Sequence, residues 1–249
     1  IILVRKIKFI CFYLTKTINK MAHNRYKRYS ANKKIGNLKP PFCEFNPHDF
    51  DAPVMRNKNI LITSIDPGIV NCGVYVSCYN TEKKTHESLF LARLTFNSEI
   101  NHYVESLKQL NDLEEKHGFF SSSHYVVIES QMTVSYDNTR MCQHLISYFM
   151  STYKNKGNRP LIIEITSQAK TRLLECPKGL SKYQYKKWCA NKAIKYLEDR
   201  GSEKEEPFVE SIKGSKKKDD MGDAICQYYA WMKIMDGDAI KPTLPTKRY

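Results

Sequence analysis

Apolar residues along the chain fall into short β-branched runs separated by polar turns, a pattern typical of buried strands. Five such runs predict strands, at 60–65, 70–79, 89–94, 125–129 and 161–166. The first run is closed by a Pro67-Gly68 turn, and the second and third are separated by a polar tip at 80–84. The sequence therefore predicts that the first three strands form an antiparallel meander.

Four further segments are predicted to be helical, at 97–116, 138–154, 181–200 and 219–234. The first has apolar residues at spacings of three and four, and Asn97 or Ser98 is its expected cap. Its apolar positions are Ile100, Val104, Leu107, Leu110 and Leu113. The second carries a wider stripe of Met141, Leu145, Ile146, Phe149, Met150 and Tyr153. This order of elements predicts an α/β protein with one five-stranded mixed sheet and helices on both faces.

Charge divides the chain into regions. Its 249 residues contain 40 Lys and Arg against 26 Asp and Glu, which favours a polyanionic partner. Residues 1–43 hold eleven of the basic residues and no acidic one. We therefore expect a basic and disordered arm at 1–58, a main domain at 59–236 and a tail at 237–249. The arm is either a solvated tail or a polycationic DNA contact with Tyr26 and Tyr29 available for stacking.

The compartment is predicted from three further features. The eight cysteines form no CxxC pair, which indicates free thiols in a reducing, intracellular environment. No apolar run approaches the roughly 20 residues that a membrane span needs. Residues 1–20 precede Met21, the favoured start, and their basic, acid-free composition leaves a mitochondrial transit peptide as the alternative.

Carboxylates lie at the ends of three predicted elements. Asp66 ends the first strand, Glu129 ends the fourth, and Asp220 and Asp223 share one face of the last helix. Asp66 and the helix acids have structural alternatives, since Asp66 suits a turn and the helix acids suit a helix N-terminus, whereas Glu129 at a strand end has no capping role to explain it. Gathered together, these oxygen ligands would bind two Mg²⁺ ions, or Mn²⁺ in their place, for phosphodiester hydrolysis.

Three stretches resemble the motifs of RuvC-like Holliday junction resolvases, and most closely those of poxvirus type. They are SIDPGIVNCGVYV at 64–76, VVIESQ at 126–131 and KKKDDMGDAICQYYAW at 216–231. The resemblance covers roughly 59–235 and implies an RNase H-like fold and an Mg²⁺-dependent endonuclease that resolves four-way DNA junctions. It implies that Asp66, Glu129, Asp220 and Asp223 are the metal ligands, with Asp219 a weaker substitute for Asp220.

The resemblance extends to positions around these acids. Asn71 and Gly73 match the polar and small positions of the second strand, where the backbone approaches the site closely. Gln131 and Met132 match the stretch after the glutamate. A catalytic lysine is expected after the fifth strand, where Lys170 lies in TSQAKTRLLE.

Lysines near these motifs are candidate DNA contacts, because a cluster of carboxylates would otherwise repel the phosphate backbone. They are Lys182, Lys186, Lys187, Lys216, Lys217 and Lys218. The first three also compete with Lys170 for the catalytic role. An acidic insertion at 203–206 departs from the family pattern and leaves the substrate contacts open.

The partners are predicted to be branched DNA and a second copy of the chain. The resemblance implies that the helix at 138–154 pairs two subunits, while an intramolecular core helix is the alternative. Rival functions are another RNase H-like nuclease, acting on RNA–DNA hybrids or flaps, and a DNA-binding protein without catalysis. The resemblance favours a viral enzyme of the host cytoplasm over a mitochondrial one.

Overall fold

A mixed β-sheet forms the centre of the protein. The computed structural model describes the backbone of residues 42–44 and the complete residues 58–96, 101–131, 135–153 and 160–236. Strands β2 (Asn59–Asp66), β3 (Asn71–Asn80) and β4 (Thr85–Thr95) pair antiparallel in sequence order. The predicted meander is confirmed.

The other half of the sheet is parallel. Strand β5 (Tyr125–Ser130) lies parallel to β2, and β6 (Leu161–Thr166) lies parallel to β5. A sixth strand, β1 (Phe42–Glu44), adds antiparallel to the edge of β6, so that the order is β1-β6-β5-β2-β3-β4. Its three residues are too few to show a period in the sequence, and they fall inside the segment predicted as a disordered arm.

Alternate residues of each strand point to opposite faces of the sheet, and each face is covered by its own helices. One core includes Ile65, Val74 and Ile128 and lies under three helices. They are α1 (His102–His117), α2 (Phe119–Ser122) and α3 (Tyr136–Tyr153). The other core includes Ile62 and Val127 and lies under four helices. They are α4 (Ser167–Leu173), α5 (Lys182–Glu198), α6 (Glu206–Gly214) and α7 (Lys218–Met235).

The predicted helices are present with shifted ends. The cap of α1 is Asn101, whose side chain accepts a hydrogen bond from the Tyr103 amide, and Val104 of the predicted stripe is 61% exposed. Asn97 and Ser98 lie outside the described residues. The stretch before α5 contains α4, a helix that no pattern in the sequence predicted. No helix of the described ranges is long and apolar enough to cross a bilayer.

The apolar stripe of α3 is used within the chain. Met141, Leu145, Ile146, Phe149 and Tyr153 are all buried in the core beneath the helix. The stripe therefore has an intramolecular explanation, and a subunit interface on α3 stays a prediction.

Candidate active site

Parallel pairing of the two central strands brings the first two acids together. The β2–β5 register ends at Ile65 opposite Ile128, and Asp66 and Glu129 are the next residues of their strands. Asp66 and Glu129 therefore lie side by side on neighbouring strands, and the charge of Glu129 acts on the Asp66 carboxyl group.

Helix α7 carries the next two acids. It packs directly against β3 at Gly73, with no side chain between them. A Cβ on Gly73 would lie 2.1 Å from the carbonyl oxygen of Asp220, so only glycine permits this approach. On the side of α7 that faces α5, a Cβ on Gly222 would lie 2.9 Å from Cα of Ala190. The close approach predicted at Gly73 is present, and it holds Asp220 and Asp223 over the strand ends.

Lys170 lies between acids of two elements. Its Nζ donates to Oε2 of Glu129 at 2.5 Å and to Oδ1 of Asp223 at 2.6 Å, and its side chain is 2% exposed. Burial alone would lower the pKa of Lys170, but the carboxylates of Asp223, Glu129 and Asp66 raise it well above its usual value. Lys170 is therefore a buried cation inside the acid cluster, and the catalytic role that the resemblance implied for it stays a prediction.

Two of the acids are shifted towards protonation. Burial, followed by the charges of Glu129 and Asp223, raises the pKa of Asp66 well above its usual value, although Lys170 opposes this. Burial and the neighbouring Asp219 also raise the pKa of Asp220. The Oδ2 atom of Asp220 is buried and has no hydrogen-bond partner among the described residues. The neighbouring cations therefore do not fully offset the burial and the mutual repulsion of these two carboxylates.

Asp219 has a different partner. Its carboxylate accepts a hydrogen bond from Lys186 of α5, and that lysine side chain is 44% exposed. Asp219 and Asp220 thus occupy different surroundings although they are adjacent. Lys186, expected as a DNA contact, lies at the site with its ammonium already paired.

An open cleft of about 430 Å³ contains these groups. Its lining includes every predicted acid and Lys170, as well as Asn71 and Gln131. The remaining candidate lysines, Lys182, Lys187, Lys216, Lys217 and Lys218, are exposed on α5 or around the start of α7. Their DNA contacts stay a prediction, and Met132 lies outside the described residues.

Several polar groups of the cleft were not assigned a role from the sequence. Asn138 and Gln168 line it, and Asn138 Oδ1 accepts a hydrogen bond from the amide of Ile69 in the loop after Asp66. The thiol of Cys189, buried in α5, donates to Oδ1 of Asp223 at 3.1 Å. An Asn at a predicted helix start is a sequence signal for Asn138, whereas Cys189 resembles any other core residue.

The donor chemistry of the cleft fits a hard divalent cation. All four predicted ligands carry carboxylate oxygens, and the unpartnered buried oxygen of Asp220 is an atom that a cation would satisfy. Within the described ranges, however, no three His, Cys, Asp or Glu side chains are already arranged as a metal-ligand group. The ammonium of Lys170 lies between Glu129 and Asp223 and already pairs with one oxygen of each.

Comparison with solved structures places this architecture. The fowlpox virus resolvase in complex with substrate Holliday junction DNA superposes with a TM-score of 0.50 and 16% identity, over 71% of this chain and 99% of that one. The fold is that of the fowlpox virus Holliday junction resolvase. The yeast mitochondrial Holliday junction resolvase gives a TM-score of 0.49 and 15% identity, over 75% of this chain and 86% of its own. The α/β, RNase H-like fold that the resemblance implied is confirmed.

The sequence itself has a viral relative. It is 30% identical over 146 residues to uncharacterized protein 170L of Invertebrate iridescent virus 6. The match covers 50% of this chain and 57% of that protein, so the chain spans little more than half the length of this relative. No protein-family model matches the sequence.

Proposed function

We propose that this protein is a metal-dependent, structure-selective DNA endonuclease that resolves four-way junctions and branched or concatemeric DNA. One observation carries the proposal. Acids from β2, β5 and α7 meet around a buried lysine in an open cleft, on a fold shared with a junction resolvase. These acids and Lys170 line an open cleft of about 430 Å³, a space that a phosphate group can enter.

The four carboxylates of Asp66, Glu129, Asp220 and Asp223 would hold the metal, with two Mg²⁺ ions per site and Mn²⁺ able to replace them. When bound, such ions activate water and neutralise the charge that develops on the leaving oxygen. Lys170 keeps the acids together in the free protein. Released from Glu129 and Asp223, its ammonium can donate to a phosphate oxygen of the substrate.

The DNA partner is proposed from charge and from the fold. The exposed lysines on α5 are Lys182 and Lys187, and those near the start of α7 are Lys216, Lys217 and Lys218; both helices contribute other residues to the cleft. These lysines would bind phosphates on either side of the cut strand and offset the repulsion from the acids. A four-way junction has approximate two-fold symmetry, so a homodimer would cut opposed strands, and we retain the face of α3 as the proposed subunit contact.

We further propose that the protein works in a reducing compartment, the host cytoplasm in preference to the mitochondrion. The cysteines of the described residues are free, as a reducing environment maintains them. The relative from an iridescent virus supports a viral origin over a mitochondrial one.

The test uses the full chain with a labelled four-way junction and matched duplex, flap and RNA–DNA hybrid, each with Mg²⁺ or EDTA. Asp66→Asn removes a proposed ligand, and Asp112→Asn on the exposed surface of α1 is the matched control. We expect symmetric, metal-dependent cutting of the junction by the wild type and the control, and none by Asp66→Asn. Preferential cutting of the hybrid or flap would assign another nuclease activity to the same site. Junction binding without cleavage would refute the proposal that the protein is an enzyme.

A further inference from the structure

Gln227 is a polar residue in the buried part of α7. Its side chain is fully buried, and its neighbours Cys226 and Tyr228 are buried too. Gln227 follows Asp223 by four residues, so both lie on the same face of the helix, one turn apart. A buried amide there must find hydrogen-bond partners or cost stability.

The amide nitrogen of Gln227 finds its partners on two different strands. Nε2 donates to the carbonyl oxygen of Ile65 in β2 at 3.1 Å and to that of Val127 in β5 at 2.8 Å. Ile65 directly precedes Asp66, and Val127 lies two residues before Glu129. A single planar group thus joins α7 to both acid-bearing strands, just behind the acids.

The energetics of these hydrogen bonds indicate that the main role of Gln227 is not to stabilise the fold. Oε1 of Gln227 is buried and accepts no hydrogen bond from the described residues. An unpartnered buried acceptor destabilises the fold by about 1–3 kcal/mol, which offsets part of the stabilisation from the two hydrogen bonds that the amide donates. What the amide does provide is fixed geometry, because both of its N–H directions are set by one plane.

We propose that Gln227 is a positioning residue that sets the separation of Asp66, Glu129 and Asp223 for metal binding. The inference rests on the proposed function. Metal ligands from three elements need a common spacing, and groups behind the ligands commonly change metal affinity by about 10–100-fold when they are removed. Gln227 lies on α7 and contacts both β2 and β5, the strands that carry Asp66 and Glu129.

The test compares two Gln227 variants with a control. Gln227→Met keeps the length of the side chain and removes both donors, and the milder Gln227→Asn keeps an amide too short to reach both strands. Ser123→Ala is the control, because Ser123 is also buried and its hydroxyl also bonds two groups, Thr63 Oγ1 and Phe119 O. Circular dichroism and urea unfolding measure folding and stability, calorimetric titration measures Mn²⁺ affinity, and junction cleavage gives kcat and KM.

We expect the Gln227 variants to bind Mn²⁺ about 10-fold or more weakly, with a lower kcat and an unchanged KM for the junction. Ser123→Ala should lose stability and keep its Mn²⁺ affinity. Wild-type affinity in a folded Gln227 variant, or an equal loss in Ser123→Ala, would overturn the inference. A wild-type protein that binds no Mn²⁺ and cuts no junction would refute the proposed function, and with it this role for Gln227.

Discussion

Replacing Lys170 with Met tests whether the acid cluster is held together by that one ammonium. Methionine keeps much of the length and apolar stem of lysine and removes the charge. Lys170 is 2% exposed and pairs with both Glu129 and Asp223, so its loss leaves a buried group of carboxylates without a cation. Removing one partner of a buried ion pair costs about 3–5 kcal/mol, and we expect that loss in the free energy of unfolding.

The assay is equilibrium urea unfolding of the metal-free protein near neutral pH. Lys186→Met is the matched control, because the Lys186–Asp219 pair lies at the same cleft with a lysine 44% exposed. A pair exposed to that extent contributes about 0–1 kcal/mol. The Lys170 variant should therefore lose several times more stability than the Lys186 variant. Equal losses would refute the reasoning that Lys170 offsets the acids.

Divalent metal should partly reverse the defect. In Lys170→Met the cation position between Glu129 and Asp223 is no longer contested, so Mn²⁺ should bind more tightly than in the wild type. Ligand at about 100 times its Kd adds about 2.7 kcal/mol to stability. The midpoint of unfolding should consequently rise more with Mn²⁺ in the variant. A smaller rise than in the wild type would show that Lys170 does not compete with the metal.

Other parts of the molecule give three further predictions. Gly73→Ala should lower stability by about 1–3 kcal/mol and cleavage by about 100-fold, because the added Cβ displaces α7, while Gly214→Ala, with open space around it, should do neither. Burial and then a neighbouring guanidinium lower the pKa of His86 from 6.5 to about 4. The stabilising contribution of neutral His86 should therefore be fully present above pH 6.5. The free energy of unfolding should fall by up to about 3 kcal/mol as the pH drops towards 4, and His86→Gln should flatten this fall in unfolding titrations. Lys217→Ala with Lys218→Ala should reduce the log–log salt slope of junction binding by about 0.9 for each phosphate that is no longer neutralised, and an unchanged slope would remove both lysines from the interface.

Much of the site could be predicted because its chemistry depends on position relative to strand ends. Asp66 and Glu129 each end an apolar run, and that position marked them as candidate ligands, while the family resemblance implied that they share one site. Asp220 and Asp223 share a helix face by spacing alone. Lys170 depended on the family resemblance, since nothing in its local sequence marks a buried lysine.

The remainder depends on contacts between distant residues. The three-residue β1 strand has no period to detect, and α4 is only seven residues long. Pairing of Asp219 with Lys186 requires the packing of α7 on α5, which the sequence does not show. Gln227 left one trace, a polar residue within an apolar run, but its two partners become evident only when β2 and β5 lie beneath the helix.

The placement of two acids on α7, the last described helix, has a consequence for synthesis. A growing chain contains Asp66, Glu129 and Lys170 long before Asp220 and Asp223 are made. Until α7 docks, the carbonyls of Ile65 and Val127 lack the Gln227 amide, and Lys170 lacks one of its carboxylates. Domains fold as units as they leave the ribosome, so a nascent or truncated chain without α7 has only part of the acid cluster, and we expect the proposed activity only from the completed fold.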